Sequence, residues 1–227
     1  MENTIKIDKI PYGLSLPHRQ TQSVSWEEGL KDVKDIGRML IPDFILDKDN
    51  MFAYENIVKW AVNDRTMLCN GYTNGTEKAD PRKGLYIYGN VGTGKSAMLN
   101  IIRIFINQRG FRFLAGEEQH QLAWATWRAD DICDTYMVDG SIRRWVVKSS
   151  LCIQDLGSEP QEAVYMGNRR RVLRAILEAR GDLRDHLTFI SSNIPPSALG
   201  DYYGDRVASR IAQMCNVYRL GGQDRRR

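Results

Sequence analysis

The chain has 227 residues, of which 42% are hydrophobic and 26% are charged, so it is long enough to bury one core of ordinary size or two small ones. No run approaches the roughly 20 apolar residues that cross a bilayer, and the N-terminus lacks a signal-peptide pattern, so we expect a cytoplasmic protein without membrane contact. The net charge of +4 argues against a uniformly basic nucleic-acid binder, and the scattered cysteines and histidines argue against a disulfide framework or a zinc site.

Periodicity along the chain predicts one main domain that follows a short N-terminal extension. Prolines and glycines punctuate residues 1–46, and we assign the main domain to 47–227. The extension 1–46 is a candidate partner-binding segment, whose predicted helix docks on a helicase, on a transposase or on the chain's own core. Helices are predicted at 26–40, 50–62, 95–107, 129–138, 162–180 and 203–215. Strands are predicted at 85–88, 111–114, 151–153, 187–190 and 217–220. Because strands alternate with helices, the fold class is α/β, with a central parallel sheet flanked by helices.

A phosphate-binding pattern lies between the first of these strands and the helix that follows it. The pattern G-x-x-x-x-G-K-[ST] is matched in full by Gly89, Asn90, Val91, Gly92, Thr93, Gly94, Lys95 and Ser96. Its glycines let the backbone amides converge on anionic oxygens, and the helix adds the positive end of its dipole. Lys95 is predicted to contact the β- and γ-phosphates of ATP, and the Ser96 hydroxyl to ligate Mg²⁺. The sequence therefore predicts a nucleoside-triphosphate site of the P-loop type.

Two further polar residues follow predicted strands. Asp155 comes directly after an apolar strand and is predicted to supply the carboxylate that a P-loop site places beside Mg²⁺. The alternative is an ordinary turn residue, since aspartate is common at strand ends. Asn193 follows the strand at 187–190 and is predicted to orient the attacking water, although an Asn-x-Pro run is also typical of a turn.

These motifs, in this order, resemble the AAA+ ATPases of the DnaC/IstB type. That family comprises bacterial and phage helicase loaders and the ATPase partners of some transposases. The resemblance covers roughly residues 50–227. It rests on the P-loop and on four further segments, namely 151–160, 189–193, 203–211 and 222–226.

The resemblance implies roles for residues outside the P-loop. Asn193 would be the sensor 1 residue, and Arg210 would be an arginine finger that reaches the nucleotide of an adjacent subunit. Arg226, or alternatively Arg225, would be the sensor 2 residue. An arginine finger is chemically sensible because a guanidinium stabilises the charge on the transferred phosphoryl group.

One departure from the family concerns the acidic pair that usually ends the third strand. Here the pair reads Gln154-Asp155. If the first place serves Mg²⁺, Gln154 has replaced the acid and Asp155 polarises water, and hydrolysis is then expected to be slow or absent while ATP binding persists. If Asp155 serves the metal instead, Glu159 is left to assist.

The resemblance also implies partners. Such ATPases form a ring or spiral of identical subunits that acts on a replicative helicase or a transposase-like protein and on single- or double-stranded DNA. An arginine cluster at 169–174 and a basic segment at 143–148 are candidates to face a phosphate backbone, with a solvated helix surface as the alternative. Trp124, Trp127 and Trp145 are candidates to stack on bases, although tryptophans inside a domain belong more often to the core.

The leading hypothesis is therefore an ATP-binding and ATP-hydrolysing protein of the helicase-loader type. A transposition or defence ATPase and a nucleotide-gated switch with little or no hydrolysis remain as alternatives. A small-molecule kinase is disfavoured because we find no lid segment and because Arg210 and Asn193 stand at family positions.

Overall fold

A computed structural model describes residues 17–19, 22–72, 75–115 and 118–226. Its α-helices are α1 (Trp26–Leu40), α2 (Met51–Val62), α3 (Lys95–Arg109), α4 (Ala129–Asp139), α5 (Arg143–Val146), α6 (Val172–Asp182), α7 (Leu199–Tyr203) and α8 (Asp205–Met214). Its strands are β1 (His18–Arg19), β2 (Leu68–Asn70), β3 (Thr76–Lys78), β4 (Gly84–Tyr88), β5 (Arg112–Ala115), β6 (Glu118–Gln121), β7 (Ala125–Arg128), β8 (Ser150–Leu156), β9 (Ala163–Tyr165), β10 (Asn168–Arg170), β11 (Leu187–Ser192) and β12 (Cys215–Arg219). Residues 1–16 of the predicted extension lie outside this description.

A seven-stranded sheet forms the centre of the molecule, in the order β3-β2-β12-β4-β11-β8-β7. The five strands from β12 to β7 are parallel, and β2 and β3 add an antiparallel edge. Because parallel strands share their direction, β4, β8, β11 and β7 all end at the same edge of the sheet. This carboxyl edge is where polar loops can meet.

Helices cover both faces of the sheet, as a mostly parallel sheet requires. One hydrophobic cluster holds α1, α2 and α3, with Trp60, Phe105 and Phe189 among its fully buried side chains. The other cluster lies under α4, α6 and α8 and includes Trp145 and Ile153. The predicted α/β class and the central parallel sheet are thereby confirmed.

The helix predicted inside the extension packs on the chain's own core. Ser25 caps α1 by accepting a hydrogen bond from the Glu28 amide at 3.3 Å, while the Glu28 carboxylate accepts one from the Ser25 amide. A Cβ added at Gly29 would come within 2.9 Å of the side chains of Phe105 and Val58, so α1 lies directly against α2 and α3. The boundary at residue 46 stays a prediction.

Two of the predicted elements are wrong in detail. The strand predicted at 111–114 exists as β5, but it belongs to a separate antiparallel sheet with β1 and β6. The strand that pairs with β8 in the central sheet is β7, whose mixed polar sequence Ala-Thr-Trp-Arg hides it because it lies at the sheet edge. The helix predicted at 162–180 begins only at Val172, and residues 163–170 form a β-hairpin instead.

Among the described residues, no helix is long and apolar enough to cross a membrane.

Candidate nucleotide site

The P-loop runs from the end of β4 to the first turn of α3. Gly92 and Gly94 have φ angles of 79° and 92°, a left-handed backbone that glycine adopts without strain. The amide of Met98 donates to the Gly94 carbonyl at 2.8 Å, so the helix begins directly at the loop. Among the residues that the structure describes, no side chain caps this helix end. The local sequence therefore produces an uncapped, electropositive helix end in front of a curled loop.

The last described residues of the chain pack against the P-loop. The Leu220 amide donates to the Tyr88 carbonyl at 2.8 Å, and the Arg225 amide donates to the Gly92 carbonyl at 2.9 Å. A Cβ at Gly92 would overlap the carboxylate of Asp224, so this close approach requires glycine. We refer to residues 220–226 as the C-terminal tail.

An ion pair fastens the C-terminal tail to the segment before α2. The Arg225 guanidinium contacts both carboxylate oxygens of Asp47, each at 2.9 Å. The hydrogen bond from Arg225 lowers the pKa of Asp47, and partial burial offsets this only in part. Both side chains are about three-tenths exposed, so the pair is stabilising but partly screened by solvent.

Lys95 lies within the loop that it is predicted to serve. Its ammonium donates to the carbonyls of Gly89 at 2.9 Å and Asn90 at 2.7 Å. Its pKa is lowered chiefly because burial of the side chain disfavours the charged form, while the charge of Asp155 raises it and that of Arg226 lowers it. Lys95, Asp155 and Arg226 are thus close enough to interact.

Asp155 has an irregular backbone at the end of β8. Its φ of 55° lies in the left-handed region, and the pairing of β8 with β11 shifts register at this point. The Asp155 amide donates to the Ser191 hydroxyl at 3.1 Å, which fixes the turned backbone. The Asp155 carboxylate accepts from the Arg128 guanidinium at 3.3 Å, and Arg128 also binds Asp130 at 3.1 Å.

Gln154 and Glu159 are placed differently from Asp155. Alternation along β8 puts Gln154 on the same face as Cys152, which packs in the cluster that contains α3. Gln154 therefore lies on the face of the sheet that is covered by α3, the helix whose first turn contains Ser96. Glu159 accepts hydrogen bonds from the Tyr203 hydroxyl at 2.5 Å and from the Gly157 amide at 2.8 Å, so its carboxylate supports the loop after β8.

The residues implied by the resemblance are divided between two places. Asn193 is exposed one residue beyond Ser192, which pairs with Tyr88, so it lies at the carboxyl edge beside the start of the P-loop. Arg210 lies elsewhere, on α8, where its guanidinium binds Asp182 at 2.5 Å and approaches the Gly181 carbonyl at 3.5 Å. The structure therefore does not bring Arg210 to the P-loop of its own chain.

The tryptophans proposed to stack on bases belong to the core. Trp124 stacks on Phe189 with ring centroids 4.1 Å apart, and Trp145 is fully buried. Trp127 packs edge-on against Trp145 at 5.7 Å. The stacking hypothesis is therefore wrong for Trp124 and Trp145, and Trp127 is partly buried beside them.

Sequence reasoning missed three residues of the site: Arg128, Asp47 and Asp224. Each reaches the site from a remote part of the chain. Arg128 and Asp47 belong to no short pattern, and Asp224 lies in the segment 222–226 but was given no role. Arg128, at the end of β7, could have been predicted only if the sequence had shown that β7 lies next to β8. Asp47 and Asp224 had no such signal, because the folding of the C-terminal tail over the loop cannot be read from spacing.

The residues present fit a magnesium-bound nucleoside triphosphate. The loop offers an electropositive helix end, one lysine and one nearby arginine for a polyanion. Ser96 in the first turn of α3 and the Asp155 carboxylate supply oxygen ligands of the kind that Mg²⁺ prefers, with phosphate oxygens and water completing the set.

The parallel order β12-β4-β11-β8-β7, with a P-loop after the central strand β4, is that of a P-loop fold of the AAA+ type. No protein-family model and no curated protein sequence matches the chain.

Solved structures do match. A protein of Streptococcus pyogenes serotype M3, described as a candidate primosome component, superposes with a TM-score of 0.57 at 19% identity over 91% of this chain and 94% of its own. DnaI does so with a TM-score of 0.55 at 19% identity, over 85% and 93%. The DnaC helicase loader does so with a TM-score of 0.53 at 16% identity, over 80% and 96%. The fold expected from the resemblance is therefore confirmed.

Proposed function

We propose that this chain binds and hydrolyses ATP and acts as a homo-oligomer on a replicative helicase and single-stranded DNA, in the manner of a helicase loader. One observation carries the proposal. A complete P-loop, whose Lys95 is influenced by the charges of Asp155 and Arg226, lies at the carboxyl edge of a sheet whose fold is shared with DnaI and the DnaC helicase loader. A replication role of this kind implies a cytoplasmic location.

In this proposal the P-loop holds the triphosphate. Backbone amides from Gly89 to Ser96 and the start of α3 surround the phosphates, and the Lys95 ammonium exchanges two loop carbonyls for phosphate oxygens. Arg226 is the better sensor 2 candidate, because its charge acts on Lys95 whereas Arg225 is engaged by Asp47.

Hydrolysis would depend on the residues at the ends of β8 and β11. Mg²⁺ bound at Ser96 would neutralise charge on the phosphates. Asp155, whose charge acts on Lys95, would serve the metal or polarise water, and Asn193, which follows the Ser192 that pairs with Tyr88, would orient that water. Arg210 would contribute to catalysis only across a subunit interface, which its distance from its own P-loop requires.

A second candidate function, a switch that binds ATP with little turnover, is favoured by two observations. Gln154 brings no charge to the face from which Ser96 rises, and Arg128 already engages the Asp155 carboxylate. A carboxylate oxygen that is engaged by a guanidinium is less available to a metal ion or to a water molecule.

The decisive experiment measures ATP binding by calorimetry and ATP turnover by phosphate release, each with and without single-stranded DNA. We expect binding with DNA-stimulated turnover, and we expect Lys95→Ala to weaken binding roughly 100-fold through loss of a charge-assisted contact. Binding without turnover in every condition would establish the switch instead. Well-folded protein that takes up no ATP in the presence of Mg²⁺ would overturn both functions.

A further inference from the structure

We propose that the β9–β10 hairpin, residues 163–170, is a nucleic-acid contact element, with Arg169 for the phosphate backbone and Met166 for the bases. The inference rests on the proposed function for the kind of partner, but on the hairpin alone for the position of the contact. Six residues separate the end of β8 from the hairpin, so the hairpin lies at the same edge of the sheet as Asp155 and the P-loop.

The register of the hairpin separates an inner face from an outer face. Residues directly opposite in an antiparallel pair share a face. Ala163 pairs with Arg170 on one face, and Val164 pairs with Arg169 on the other. Ala163 is buried, whereas Val164 is 45% exposed and the Arg169 side chain is 76% exposed, so Val164 and Arg169 form the outer face.

The inner face anchors the hairpin to α4. The Tyr165 ring fills the space over Gly140, where a Cβ would overlap it, and it packs against Tyr136 with ring centroids 6.3 Å apart. The Arg170 guanidinium lies over the Tyr136 ring at 6.0 Å. These contacts with α4 fix the position of the hairpin, so its outer face has a defined orientation.

The tip carries an apolar residue where folding does not favour one. Met166 and Gly167 have φ angles of 47° and 82°, the conformation of a two-residue turn that prefers asparagine, aspartate or glycine. Met166 is nevertheless 84% exposed and contributes nothing to the core. A non-glycine residue in this conformation costs on the order of 1 kcal/mol, so an exposed methionine here points to a contact with something outside the chain.

Charge identifies that partner as a polyanion. Arg169 has one distant ionic contact, to Glu162 at 3.7 Å, and such an exposed pair is readily exchanged for a phosphate. Beyond the hairpin, Arg171 lines a cleft with Tyr202 that also holds Glu159 and Arg174. Because Arg174 is paired with Glu178 at 3.1 Å, Arg171 is the guanidinium that extends the basic surface towards α7. Guanidinium groups beside exposed apolar and aromatic side chains suit a nucleic-acid strand, whose phosphates and bases require both.

The loop between β8 and β9 connects the hairpin to the carboxyl edge of the sheet. Glu159, in the connection between β8 and β9, is bonded to Tyr203 and to the Gly157 amide. A strand bound on the hairpin and the neighbouring cleft would therefore press on the loop that directly follows Asp155.

The test is fluorescence anisotropy with a labelled oligothymidine of about 20 nucleotides, titrated with the full chain at several salt concentrations. We expect Arg169→Ala to weaken binding and to reduce the slope of log affinity against log salt by about one unit, as for a lost phosphate contact. We expect Met166→Ser to weaken binding by about 5- to 10-fold at an unchanged slope, because a base contact releases no counterion.

The matched control is Arg184→Ala. Arg184 is exposed on the loop that precedes β11, at the opposite edge of the sheet, and its loss should leave both affinity and slope unchanged. The proposal is overturned if the wild-type chain binds no oligonucleotide, or if both hairpin variants bind like the wild type. ATP uptake measured on the same preparations separates this failure from a failure of the proposed ATPase function.

Discussion

The P-loop and the Asp155 carboxylate at the end of β8 lie at the same edge of the central sheet, but their conformations depend on different kinds of contact. The P-loop is a contiguous segment whose shape follows from its own glycines and from a helix that starts directly behind it. The Asp155 carboxylate depends on partners from two other strands, Ser191 and Arg128. In the proposed function, nucleotide binding and nucleotide turnover would therefore rest on separable parts of this molecule.

Among the tests of this separation, the largest effect is expected from Asp155→Asn. The substitution keeps the shape of the side chain and removes the charge that serves the metal or the water. We expect turnover to fall by about 100-fold or more while ATP affinity changes by less than about threefold. Calorimetry and phosphate release measured side by side will check this. The control is Asp134→Asn, on the exposed surface of α4; equal losses of binding and turnover would contradict the separation.

A smaller effect, of opposite sign, is expected from Gln154→Glu. A carboxylate on the face from which Ser96 rises would add a charged ligand for Mg²⁺, so we expect the Mg²⁺ requirement of turnover to fall by about tenfold and the rate to rise. A magnesium titration of phosphate release will measure this. Gln108→Glu, the same change at the exposed end of α3, should have no effect. An unaltered magnesium dependence would remove Gln154 from the metal site.

The smallest effect is expected from breaking the ion pair between Asp47 and Arg225. The pKa of Asp47 is lower in the folded chain than the ordinary carboxyl pKa of about 4. The ion pair therefore contributes its full stabilisation at pH values above the ordinary pKa. That stabilisation is lost as the pH falls through the lower pKa of the folded state. Asp47→Asn should therefore lower the unfolding free energy by about 1 kcal/mol or less at pH 7.

The measurement is thermal unfolding of both chains from pH 7 down to pH 3. The difference in unfolding temperature should shrink below about pH 4. Asp43→Asn, exposed in the same segment, should show no such difference. A gap between wild type and Asp47→Asn that persists at low pH would mean that the pair contributes nothing through its charge.

Local patterns were sufficient for much of this fold. The P-loop, the strand before it and the helix after it follow from one contiguous motif, and the strands at β8 and β11 follow from short apolar runs. The hairpin at 163–170 was mistaken for helix because arginines favour helices, while its structure depends on a tight turn and on Tyr165 packing against α4. β7 was missed because an edge strand carries mixed polarity.

For the candidate site the same division applies. The contiguous residues from Gly89 to Ser96 could be predicted in full, and Asp155 and Asn193 could be placed at the carboxyl edge, although their roles stay predictions. Arg128 and Asp47 could not be found, since each depends on contacts between segments far apart in the chain. Strand order and the course of the C-terminal tail decide those contacts, and neither leaves a short-range signal.

The packing of Asp224 against Gly92 has a consequence for how this site can vary. The phosphate-binding pattern leaves position 92 open to any residue, yet here the acid of the C-terminal tail occupies the volume that a side chain would need. Among relatives, a larger residue at this loop position should therefore occur only where the side chain at position 224 turns away or is replaced by a smaller one. The two positions, more than 130 residues apart, should change together.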